Sequence, residues 1–191
     1  TGNLTLNEDG SQADDTFDVI IAVIGETPYA EGNGDISKFD TMAFDEHYED
    51  DAQLLADLRA SAPGTPIVTL YVGGRPLWMN PQLNLSDAFV ASWLPGTEGT
   101  GVADVLFGDH PFTGKLSYSW PVNDCQVPVN RNDGETPLFA YGYGLTTEAD
   151  GSVPVLAEDR SETGCDAPDV SDAGTTEEPL DIFTNGASQG D

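Results

Sequence analysis

An α/β domain with a mainly parallel sheet flanked by helices is the fold this sequence predicts. Three observations carry that reading. Three short runs, at residues 17–24, 65–72 and 88–94, are largely apolar, and the first two are rich in β-branched residues. Strands buried on both faces of a parallel sheet have that composition. A helical stretch separates the first two runs, which makes a βαβ unit with a right-handed crossover. Glycine-rich turns follow the strands, on the side where α/β folds place their ligands.

The elements follow in order. Residues 1–15 are polar, begin without a Met and end in Asp14-Asp15; they are expected to be a linker or the end of an upstream part. Residues 36–49 mix aromatic and acidic side chains without a clean period, so a loop with a short turn is expected. Asp50 or Asp51 is placed to cap a helix that runs to about Ser61. Leu54, Leu55 and Leu58 share one face of it, and Pro63-Gly64 ends it. After the second strand comes Gly73-Gly74-Arg75-Pro76. Arg75 is one of very few cations here and is read as pinning a buried ion pair rather than touching a ligand. Residues 77–86 form a short, ill-defined element.

Residues 95–101 open a helix over 102–107. Their order is G-x-x-G-x-G with no following Lys, so the glycines serve helix packing and not nucleotide binding. Glu98 in this turn is a candidate for binding a ligand's hydroxyls or for holding a loop. Residues 115–120 alternate apolar and polar with period two, the pattern of an edge strand. Residues 121–136 read as loop, and 137–145 as an aromatic, glycine-rich strap across the domain base. His47 and His110 are lone histidines, expected to be structural. From 148 to 179 the composition is that of an acidic linker, and 180–191 reads as the start of a further module.

The charge balance narrows the partners. In 191 residues there are 34 acidic and 6 basic side chains, a net charge of −28. Phosphate binding needs Lys and Arg, so nucleic acid is excluded as a partner. No run is long and apolar enough to span a membrane. No thiolate pair has zinc-ligand spacing, and no complete calcium loop is present. Two cysteines, Cys125 and Cys165, are either a disulfide formed outside the cytosol or two unrelated thiols.

The chemistry concentrates in the stretch after the first strand, Gly25-Glu26-Thr27-Pro28-Tyr29-Ala30-Glu31-Gly32-Asn33-Gly34-Asp35. A carboxylate at a strand's C-terminal end, an aromatic residue and a second carboxylate compose a polar substrate site. This stretch, then GRPL, then ASWLPGTEGTGVADVLFGDHPFTGKLSYSWP, then PLFAYGYGLTT, stand in an order and spacing that resemble the second domain of glycoside hydrolase family 3. The resemblance covers residues 16–147 and is nearest the exo-acting β-glucosidase and exo-β-glucanase branch.

It implies an α/β sandwich domain whose site faces an upstream barrel carrying an aspartate nucleophile. It implies a retaining mechanism that removes glucose from the non-reducing ends of β-glucans, with no metal or organic cofactor. Glu26 falls on the implied proton-donor position, Tyr29 on the leaving-group side and Glu31 on the same flap as runner-up for the acid. It further implies a secreted or periplasmic bacterial protein that is inactive without the barrel. A non-catalytic carbohydrate-binding or scaffold domain of the same fold is the alternative.

Overall fold

The computed structural model describes residues 5–6, 9–11, 13–37, 40–148, 152–160 and 165. The expected module at 180–191 and much of the expected linker lie outside them. Three strands, β1 (Ile20–Gly25), β2 (Ile67–Val72) and β3 (Ala88–Trp93), form a parallel sheet in the order β1-β2-β3. Ile20 pairs with Ile67 and Gly25 with Val72. The α/β class and the βαβ crossover therefore stand as expected.

Helices α1 (Phe44–His47) and α2 (Glu49–Ser61) follow β1. Helix α2 buries Leu55 and Leu58 against Ile20, Ala22 and Ile24 of β1. Its acidic first turn, Glu49, Asp50 and Asp51, suits the positive end of the helix dipole. Neither expected Asp is the cap: Tyr48 holds that position without a side-chain bond. Asp51 instead accepts the Gly25 N–H at 2.9 Å and so ties α2 to the end of β1. Arg59, near the other end of α2, donates to the carbonyls of Leu85 and Thr65 and pairs with Asp87 at 2.5 Å. Helix α3 (Asn80–Leu85) occupies the stretch left undefined by the sequence, and α4 (Gly99–Leu106) begins three residues earlier than expected.

Two expectations need correction. The strands are not buried on both faces: Val19 and Val23 are 44% and 58% exposed, and α4 buries none of its residues. Period-free apolar strands prepare two faces, and the described residues cover one. Residues 115–120 are not an edge strand of this sheet. They bond to the strap through Leu116–Tyr143, Gly142–Leu116, Trp120–Phe139 and Leu138–Trp120, an interrupted antiparallel ribbon. Trp120 there is buried and meets the rings of Tyr71, Phe89 and Trp93 at 6.1 to 6.2 Å. The ribbon thus covers the β2–β3 half of the face that α2 covers at β1.

Candidate active site

The C-terminal ends of β1 and β2 meet at one side chain. Glu26 follows β1 directly, and its side chain is only 2% exposed. Its Oε1 accepts from Arg75 Nε at 2.7 Å, and its Oε2 accepts the Gly74 N–H at 2.7 Å. The Tyr29 hydroxyl stands 3.4 Å from the same Oε2. Every one of these neighbours is a donor, so both carboxylate oxygens are engaged as acceptors. Arg75 also donates through Nη1 to the Gly34 carbonyl, and its guanidinium lies 4.6 Å from the centre of the Tyr29 ring. One cation therefore joins the base of the 26–35 loop to its far end. The expected ion-pair role of Arg75 is present, and its partner is Glu26.

Backbone geometry permits this closeness. A Cβ on Gly73 would stand 2.2 Å from the Tyr71 hydroxyl and 2.9 Å from Glu26 Oε2, and one on Gly34 would stand 2.0 Å from the Tyr29 ring. Only glycine fits at either place. Tyr71, fully buried, donates to the Arg75 carbonyl at 2.9 Å and holds the turn that carries Gly73 and Gly74.

Burial, and next the Glu26 charge, raise the Tyr29 and Tyr71 hydroxyls above their ordinary values. Burial pulls the Arg75 guanidinium down, but its hydrogen bond to Glu26 and the charge there outweigh this and hold it above its usual value.

Glu31 is placed differently. It opens a 3-10 turn, Glu31–Gly34, is exposed, and has φ of 48°. A non-glycine residue in the left-handed region costs conformational energy, and such strain concentrates at functional sites. The loop borders an open cleft of about 660 Å³ lined by Tyr29, Asn33, Asp35, Ile36, Asp40, His47, Tyr48 and Arg75, among others. Tyr29 is 42% exposed there. Glu31 is not among the cleft-lining residues, although Ala30 and Asn33 of the same loop are.

The remaining expectations divide. Glu98 caps α4, is exposed and lies outside the cleft lining. His110 is also outside it, whereas His47, expected to be structural, lines it with Nε2 2.9 Å from the Thr41 carbonyl. Asp40 and Tyr48 are cleft residues that the sequence did not single out; they sit in the aperiodic stretch 36–49, which carries no signal of its own. Cys125 and Cys165 form a disulfide.

A family model described as the glycosyl hydrolase family 3 C-terminal domain matches residues 5–147. A periplasmic beta-glucosidase of Salmonella typhimurium is 31% identical over 163 residues, covering 73% of this chain and 20% of that protein. The crystal structure of an exo-1,3/1,4-beta-glucanase from a Pseudoalteromonas species superposes with a TM-score of 0.76 at 50% identity. That likeness covers 84% of this chain and 20% of the other. A beta-glucosidase from Listeria innocua in complex with glucose gives a TM-score of 0.53 at 28% identity, over 68% of this chain and 20% of that one. The chain spans about a fifth of the length of these relatives.

Proposed function

This chain belongs to glycosyl hydrolase family 3, whose C-terminal domain it carries, and from that premise we propose that it is the acid/base-bearing part of a retaining exo-acting β-glucosidase or exo-β-glucanase. The substrate is a β-glucan or β-gluco-oligosaccharide, cut from the non-reducing end. The nucleophile is an aspartate on an upstream barrel of the same protein. Retaining hydrolysis uses two carboxyls about 5 to 5.5 Å apart, one as nucleophile and one as proton donor and then acceptor.

The observation that carries the reading is the division of labour between the two glutamates of one loop. Glu26, expected from the sequence as the donor, has a side chain only 2% exposed that is held by Arg75 and the Gly74 N–H. To protonate a leaving group it would have to abandon both bonds. Glu31, the runner-up, is exposed on a loop whose two ends that same ion pair fixes. A donor that works against a carboxylate on another domain has to be exposed at the surface of its own, and of the two glutamates Glu31 is. We therefore assign the donor role to Glu31 and the anchoring of its loop to Glu26. Tyr29, beside Arg75 in the cleft, lines the leaving-group side. The Cys125–Cys165 disulfide and the periplasmic relative support a secreted or periplasmic location.

Leaving-group dependence in the full-length protein tests the assignment. Glu31→Gln is expected to lower kcat/KM on glucosides with poor leaving groups by about 10²- to 10⁴-fold, the usual worth of a general acid. Activated aryl glucosides, which need little protonation, should lose far less. Glu26→Gln should lower both alike. The opposite pattern would return the donor role to Glu26. If neither variant changes a hydrolysis that the parent performs, the domain is a binding or scaffold module.

A further inference from the structure

The stretch 40–48 supplies Asp40, His47 and Tyr48 to the cleft, yet little of its own structure holds it in place. Helix α1 within it is four residues long, too short to stand by itself. Phe44 is fully buried, and Phe44 N–H donates to the Trp78 carbonyl at 3.0 Å. The other fastenings come from later in the chain. The Thr41 hydroxyl donates to Asp124 Oδ2 at 3.1 Å, and the Met42 N–H to the Asp124 carbonyl at 2.7 Å. Asp124 precedes Cys125, which is cross-linked to Cys165. Arg160 pairs with both Asp45 and Glu46 of α1.

Residues 152–160 are therefore not the free linker that composition predicts. Asn84 clamps Leu156 from both sides, accepting its N–H at 2.8 Å and donating to its carbonyl at 2.9 Å. Asn80 donates to the Ala157 carbonyl at 2.8 Å. The segment is thus fixed to α3 before it reaches α1. The charges point the same way. In a chain of net charge −28 with 6 basic residues, one of those cations stands on two adjacent carboxylates of α1. Without it, Asp45 and Glu46 would add two unneutralised charges just before the acidic first turn of α2, Glu49, Asp50 and Asp51.

We propose that residues 152–160, together with the Cys125–Cys165 cross-link, are a strap that positions the 40–48 wall of the cleft, and that Arg160 is a positioning residue for sugar binding. The inference rests on the reading of the cleft as a sugar site. Arg160 is not a cleft-lining residue; its ion pairs are to Asp45 and Glu46, so it acts through α1, whose last residue is His47 and whose successor is Tyr48. Its loss loosens the wall and weakens binding of substrate and transition state alike.

The test uses the full-length protein with Arg160→Ala and Arg160→Lys, read by amide hydrogen exchange and by steady-state kinetics on laminaribiose. In Arg160→Ala, the Phe44 and Tyr48 amides should exchange at least about tenfold faster while those of β2 exchange as in the parent. KM should rise about fivefold and kcat fall less than about twofold, the pattern of lost uniform binding. Arg160→Lys, which keeps the charge, should recover most of both. Unchanged exchange at Phe44 and Tyr48 would overturn the proposal. Faster exchange with unmoved KM in an active enzyme would overturn it too, leaving the sugar-site reading intact. A parent protein that hydrolyses no β-glucoside would overturn that reading itself.

Discussion

Arg75→Met is the perturbation that the geometry of the site predicts most sharply. The guanidinium makes a 2.7 Å bond to a carboxylate that is 2% exposed, a second bond to the Gly34 carbonyl, and a face contact with Tyr29. Met fills the volume and supplies none of these. Glu26 then keeps the Gly74 N–H as its close donor and becomes a buried charge without a counter-ion. Breaking a buried pair in this way costs about 3 to 5 kcal/mol. Arg75 is itself 21% exposed, so water reaches its side of the pair and the lower figure, about 3 kcal/mol, is expected. That is a large part of the roughly 5 to 15 kcal/mol that holds a domain together. The assay is urea unfolding of the parent, Arg75→Met, Glu26→Gln and the double variant. Glu26→Gln removes the charge that Arg75 neutralises, so the double variant should be about 2 kcal/mol more stable than the sum of the singles implies. Additivity within about 0.5 kcal/mol would show that the pair is uncoupled and refute the anchoring argument.

Three further outcomes follow from the same structure. Gly73→Ala places a methyl 2.2 Å from the Tyr71 hydroxyl, and thermal melting should report a loss of about 1 to 3 kcal/mol; an unchanged Tm would mean the turn has room. The Ile67 N–H, and next Arg59, hold the Asp87 carboxyl below its ordinary value. The unfolded chain therefore takes up this proton first as pH falls, so the stability Asp87 contributes is present above the normal carboxylate range and is lost through the lower folded value. The stability gap between parent and Asp87→Asn should accordingly shrink from pH 7 to about pH 3, and a constant gap would contradict it. Finally, the 191 residues by themselves should release no glucose from laminaribiose, because Glu31 lacks the second carboxyl of a retaining site; turnover within about tenfold of the full-length protein would show a self-contained site.

Local pattern revealed the parts of the fold that local pattern governs. Short apolar runs, β-branched in the first two, placed β1, β2 and β3, and leucine spacing placed α2. The period-two alternation of 115–120 was equally real, but a ribbon that folds over a sheet face shows the same alternation as an edge strand. The pairing of residues 42–44 with Trp78 left no period to read. The docking of residues 152–160 rests on Asn80 and Asn84 side chains more than 70 positions away. In the site, the sequence places Glu26 at a strand end and Glu31 on the loop that follows, and says nothing of the burial of either. What separates them is Arg75, 49 positions after Glu26, which buries one and leaves the other exposed. Arg75 was legible as an ion-pair residue; which carboxylate it would take was not.

Azide rescue of the full-length Glu31→Ala variant tests the central claim most directly, with dinitrophenyl β-glucoside as substrate. That leaving group departs without protonation, so the glucosyl-enzyme forms and then waits for a base that is no longer there. Azide needs no base. The account predicts that added azide accelerates turnover and that the product is β-glucosyl azide, while Glu26→Ala under the same conditions gains nothing. Rescue of Glu26→Ala with none for Glu31→Ala, or an α-configured azide product, would contradict it.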